Sequence, residues 1–200
     1  MKRTILSALI AVCCFSTATY ADERKAMEGM NHDMSQMTME SSPNAQRAAY
    51  DHQFLDTMMH HHMMAIHMAE MAQSKASRKE LKDKAKMMME EQNKEIEELR
   101  SLKQKFYGDR GDAINMKLPG MMSMESMNME GLMSAEGDAF DTKFIAMMIK
   151  HHHGGIAMAK SEITRGKQQE IKDLAKKIMD AQKKDIDELG RMKKAWGSKS

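Results

Sequence analysis

The chain of 200 residues is 42% hydrophobic and 30% charged, with 27 Met, 2 Cys, 2 Pro and only 4% aromatic residues. That length fits one domain or two very small ones. Scarce aromatic and turn-forming residues beside abundant Lys, Glu, Ala and Met exclude an all-β sandwich and a nucleotide-binding α/β fold, and a net charge of +2 without basic clusters argues against nucleic acid as a partner.

Residues 1–21 read as a signal peptide: Lys2 and Arg3, an apolar run from Ile5 to Phe15, then Thr19-Tyr20-Ala21 before Asp22. Both cysteines, Cys13 and Cys14, fall inside it, and Val12 and Cys13 are poor residues to precede an acylated cysteine. The apolar run is too short to cross ~30 Å of hydrocarbon, so stable membrane insertion is not expected. Cleavage after Ala21 leaves a thiol-free chain with 29 basic and 29 acidic residues, expected to be periplasmic.

Residues 22–45 form a polar, Met-rich arm without a periodic apolar pattern and are expected to be flexible. Met27, Met30, His32, Met34 and Met37 offer closely spaced soft donors there. Thioethers neither titrate nor form disulfides, but they ligate soft metals such as Cu(I). Oxidant scavenging and an adaptable contact surface are the competing readings of such a run.

An internal repeat organises the rest of the chain. Shifted by 90 residues, Ala49–Phe106 aligns with Ala139–Trp196 without a gap, with 21 of 58 positions identical. Each copy reads as two Pro-free helices rich in Ala, Met, Lys, Glu and Gln, over 46–75 with 78–107 and 138–165 with 168–196. Ser42-Pro43 is expected to cap the first helix and Ser77-Arg78-Lys79-Glu80 to open the second as a capping box, with Gly166 ending the third. A lone hairpin of this size buries little, so hairpin 46–108 and hairpin 136–200 are expected to pack into one four-helix bundle. The linker between them, 109–135, resembles the arm: it carries Met121, Met124 and Met127 among other methionines as further candidate soft-metal ligands, and is likewise expected to be flexible.

At about 100° per residue, Asp51, Phe54, Met58, His61, His62, Ala65 and Ala69 share one helix face. The face recurs as Asp141, Phe144, Met148, His151, His152, Gly155 and Ala159. A single histidine on such a stripe is ordinarily a core residue; a doubled pair with Met one turn earlier points to a ligand. Di-iron bundles need Glu three residues before each ligating His, whereas Met58 and Met148 stand there, which shifts the preference from iron and manganese toward Cu(I) or Ag(I), with imidazole also serving Cu(II). Zinc is disfavoured without Cys or a carboxylate-backed His set. His52, His60, His67 and His153 are not duplicated and are expected to face solvent. Gln92 and Gln182 sit on the apolar stripe of their helices, where they either hold a histidine ring or make an inter-helix contact.

The segments Phe54-x-x-x-Met58-x-x-His61-His62-x-x-x-Ile66-x-Met68-Ala69 and Phe144-x-x-x-Met148-x-x-His151-His152-x-x-x-Ile156-x-Met158-Ala159, each followed by a helix with Gln92 or Gln182, resemble the domain-of-unknown-function 305 family. The resemblance covers both repeats. It implies a ferritin-like, all-α four-helix bundle and similarity to the CopM-type periplasmic copper-binding proteins of copper resistance. The ligands it implies are Met58, His61, His62, Met148, His151 and His152. Repeat two departs from repeat one with His153-Gly154-Gly155 in place of Met63-Met64-Ala65, so the two sites need not be equal. The expected function is sequestration or delivery of Cu(I), with Cu(II) or Ag(I) as alternatives and a copper exporter or another periplasmic copper protein as partner. The competing classes are a ferritin-like metal oxidase, for which no Glu-x-x-His pair is present, and a Met-rich scaffold or chaperone. No catalytic residues are evident.

Overall fold

The computed structural model describes residues 40–121 and 127–197, and the expected signal peptide and most of the arm lie outside them. The chain is all-α, with helices α1 (Tyr50–Lys75), α2 (Lys79–Tyr107), α3 (Met129–Met133), α4 (Gly137–Arg165) and α5 (Gln169–Gly197). A short 3-10 turn, Ala45–Arg47, precedes α1. The four long helices end within about four residues of where the periodicity places them. α1 packs on α2 and α4 on α5 as two hairpins, and α1 packs against α4. These two run antiparallel: Ala76 after α1 pairs with Gly137 at the start of α4, and Asp51 at the start of α1 reaches Lys167 after α4.

Gly166 stands at the C-cap of α4 as expected, but the expected N-cap of α2 is replaced by one from the opposite hairpin. Helix α2 has Arg78 at its N-cap position with no side-chain cap of its own. Asp141 of α4 takes that role, accepting from the Ser77 and Arg78 backbone N–H groups at 3.0 and 3.2 Å and from the Arg78 guanidinium at 2.8 Å. Asp51 repeats the arrangement, accepting from the Lys167 and Gln168 N–H groups ahead of α5, both at 2.9 Å. The free donors at a helix N-terminus need partners, and a carboxylate there also complements the helix dipole. Ser42-Pro43 does not cap α1, whose N-cap position is Ala49. Ser42 instead pairs with Ile114, its N–H donating to the Ile114 carbonyl at 2.8 Å and its hydroxyl accepting from the Ile114 N–H at 3.1 Å.

The linker also departs from expectation. Its described part is a strap bound to α1, not a free loop: Asp56 Oδ2 accepts from the Ala113 N–H, Thr57 Oγ1 from the Asn115 N–H and Gln53 Oε1 from the Asn115 amide, at 2.6 to 2.9 Å. Its own Met116, Leu118 and Met121 are buried in the bundle, and Leu132 of α3 is buried against α4. No repeating apolar pattern signals this, because the strap's backbone is satisfied by polar side chains of α1 and not by a ladder of its own.

Two apolar clusters fill the bundle. One gathers Phe54, Leu55, Met58, Leu99, Met121, Met158 and Ile178, the other Met68, Leu81, Met88, Phe140, Phe144, Met148 and Leu189. Along α1 the first cluster takes Phe54, Leu55, Met58 and Met64 and the second runs from Ala65 to Ala72; along α4 the second cluster takes Phe140 to Met148 and the first takes Met158 and Ala159. The four paired histidines occupy the level between.

Candidate metal centre

His61, His62, His151 and His152 are all completely buried. His61 and His151 meet across the α1–α4 interface with ring centroids 3.7 Å apart. His61 Nε2 lies 3.1 Å from the His151 carbonyl and His151 Nε2 lies 3.0 Å from the His61 carbonyl. A carbonyl only accepts, so each Nε2 carries the proton and each Nδ1 of the neutral ring keeps a lone pair. Burial first, then the neighbouring imidazoles, hold both rings well below the usual histidine range, so they are neutral at pH 7.

The outer pair is held by carboxylates. His62 Nε2 is 2.8 Å from Glu95 Oε2, and His152 Nε2 is 3.1 Å from Asp185 Oδ2. In all four rings Nδ1 is buried with no hydrogen-bond partner. An unmet buried nitrogen costs free energy, and four in one layer form a set of available ligand atoms. Histidines that bind metals typically donate their other N–H to a carboxylate or carbonyl, and these four already do so.

Met58 and Met148 are fully buried on opposite sides of the histidine layer. The donor set of neutral imidazole and thioether is therefore present, and its softness fits copper or silver. Among the described residues no three His, Cys, Asp or Glu side chains form a metal cage. Met121 is buried in the cluster that holds Met58, and Met127 packs partly buried against both clusters. Met27, Met30, His32, Met34, Met37 and Met124 lie outside the described residues.

Several expectations about single residues change. Gln92 Oε1 and both amide atoms of Gln182 are buried without partners, and neither glutamine holds a histidine. Gln182 lies against Gly155, where an added methyl would fall 2.3 Å from its Oε1. The groups that do hold the outer histidines, Glu95 and Asp185, were missed, although they align in the repeat and stand one turn beyond the glutamines. His153 is exposed, but His52 and His60 are buried. His52 stacks on Tyr107 with centroids 4.6 Å apart and lies 3.1 Å from Asp56. His60 shares the face of α1 that the strap covers.

The sequence model of the domain of unknown function DUF305 matches residues 11–103 and again 104–193. Among solved structures, CopM in its Cu(I)-bound form is 30% identical with a TM-score of 0.61, covering 73% of this chain and 96% of that one. Its Cu(II)-bound form is 32% identical with a TM-score of 0.62 and coverage of 73% and 97%, and its silver-bound co-crystal is 30% identical at 0.61, with 73% and 96%. A DUF305 protein from Streptomyces coelicolor shares the fold at 20% identity and a TM-score of 0.61, over 72% of this chain and 91% of that one. No curated protein sequence matches the chain.

Proposed function

The chain belongs to the DUF305 family, with two copies of the domain in tandem, and from that premise we propose that it is an exported, periplasmic copper-binding protein. It takes Cu(I) by preference, with Cu(II) and Ag(I) as further cargo, and sequesters the metal or passes it to a copper exporter or another periplasmic copper protein. It acts as a binder and not as an enzyme. The observation that carries this reading is the layer of four buried imidazoles, each with its Nδ1 unmet and its Nε2 engaged, with Met58 and Met148 on either side. The ligands in this reading are Met58, His61, His62, Met148, His151 and His152, and the arm methionines add weaker, thioether-only uptake. CopM structures holding Cu(I), Cu(II) and silver support the choice of metal.

The test is anaerobic loading of the chain with Cu(I) against a competing chelator, with bound metal counted by mass spectrometry. At least one tightly held copper per chain is expected. Replacing His61, His62, His151 and His152 with Ala, with folding checked by circular dichroism, should abolish the tight site and leave weak uptake. Unchanged stoichiometry and affinity in that variant would show that the layer is only core, and oxygen consumption on adding Cu(I) would show an oxidase.

A further inference from the structure

The two outer histidines look alike in the repeat, but their carboxylates do not have the same surroundings. Asp185 presents Oδ2 to His152 and Oδ1 to Lys84 Nζ, 2.5 Å away, and the lysine side chain is only 5% exposed. Lys84 also reaches Glu188 Oε2 at 2.6 Å. The counterpart of Lys84 in the repeat is Leu174, so no ammonium stands at the equivalent place. Among the described residues His62 is the only ion-pair partner of Glu95. Lys177, the nearest analogue, pairs with the exposed Glu98 instead.

We infer that Lys84 ranks the two arms, so that a soft cation entering the histidine layer settles first on the His62–Glu95 arm and only later on the His152–Asp185 arm. The inference rests on the copper-binding reading above. A carboxylate behind a histidine raises the basicity of the far ring nitrogen and offsets the charge of a metal bound there. An ammonium in contact with the same carboxylate cancels much of that gain and repels the incoming cation. Glu188 shares the ammonium but touches no histidine, so it trims the bias without removing it. One buried charge at this range separates the arms by on the order of tenfold in affinity.

The test is titration of the full chain with Ag(I), followed by the ring nitrogen signals of the histidines in NMR. In the wild-type chain the His62 signals are expected to shift before those of His152. Lys84→Met should bring His152 into step by raising its affinity about tenfold, and Glu188→Gln, at a partly exposed position, should widen the interval. Simultaneous or reversed shifts in the wild-type chain, or an order untouched by both variants, would overturn the ranking alone. If Ag(I) moved neither histidine of a folded chain, the copper-binding reading would fall and the ranking with it.

Discussion

Glu162 keeps a proton that an exposed glutamate gives up. Its side chain is fully buried, and burial first, then the nearby Asp51 charge, raises its pKa from 4.5 to about 8. Across that window the native state binds more protons than the unfolded chain, so stability falls as pH rises from about 4.5 to about 8, by at most ~1.4 kcal/mol per pH unit. Glu162→Gln, which mimics the protonated acid, is expected to raise Tm at pH 8 and to leave it nearly unchanged at pH 5; parallel pH profiles for the two proteins would refute this. Such a group is illegible in the sequence because its counterpart is Ala72 and nothing local marks it as buried. The paired histidines of the buried layer were legible for the opposite reason: a doubled His-His pair with Met one turn before it is improbable as packing alone. Glu95 and Asp185 fell between. They share a register but differ in residue type, and they sit on helices already crowded with surface acids.

At the scale of elements, helix periods gave the lengths of α1, α2, α4 and α5, but not what caps them. Asp51 and Asp141 lie on the histidine face of their helices, so their place in the repeat could be seen, but a cap supplied by another hairpin has no local signature. Asp141→Ala removes a carboxylate that serves two backbone donors and the Arg78 guanidinium, and should cost about 2–3 kcal/mol, read as a lower urea midpoint with an unchanged slope. Asp138, which is exposed and also bonded to Ser77 and Arg78, should leave the midpoint unmoved when replaced by Ala. The strap depends on a different device. Gly120 has φ +94° and packs so closely on α4 that an added methyl would lie 2.0 Å from the Gly154 carbonyl oxygen. Both the left-handed backbone and the lack of space exclude a side chain. The glycine at 155 in repeat two thus has a physical reason, since Gly155 admits Gln182, while the strap's Gly120 closes on the backbone of Gly154. Gly120→Ala is expected to lift the strap, seen as faster hydrogen exchange at Ala113 and Asn115, whose amides donate to Asp56 and Thr57. Retained protection at these two amides would show that the strap is held by its hydrogen bonds alone.

At the scale of the whole molecule, the duplication has become mutual dependence. Each hairpin supplies the cap for the other's second helix, each inner histidine donates to a carbonyl of the other, and both apolar clusters draw on all four long helices. An isolated hairpin would therefore lose its carboxylate cap, expose one side of α1 or α4, and leave the His61 or His151 ring nitrogen facing water. In proteins most helical stability comes from packing of an amphipathic face and not from propensity. The hairpin spanning 46–108, prepared by itself, is expected to show less than half of its helical circular dichroism signal, and an equimolar mixture with the hairpin spanning 136–200 should recover it in a concentration-dependent way. The recovery should be lost when both Asp51 and Asp141 are replaced by Ala, because the two reciprocal caps are then missing together. If either hairpin were fully helical and monomeric alone, the interface would be a late addition to two stable units, and the histidine layer between them would owe nothing to their joint folding.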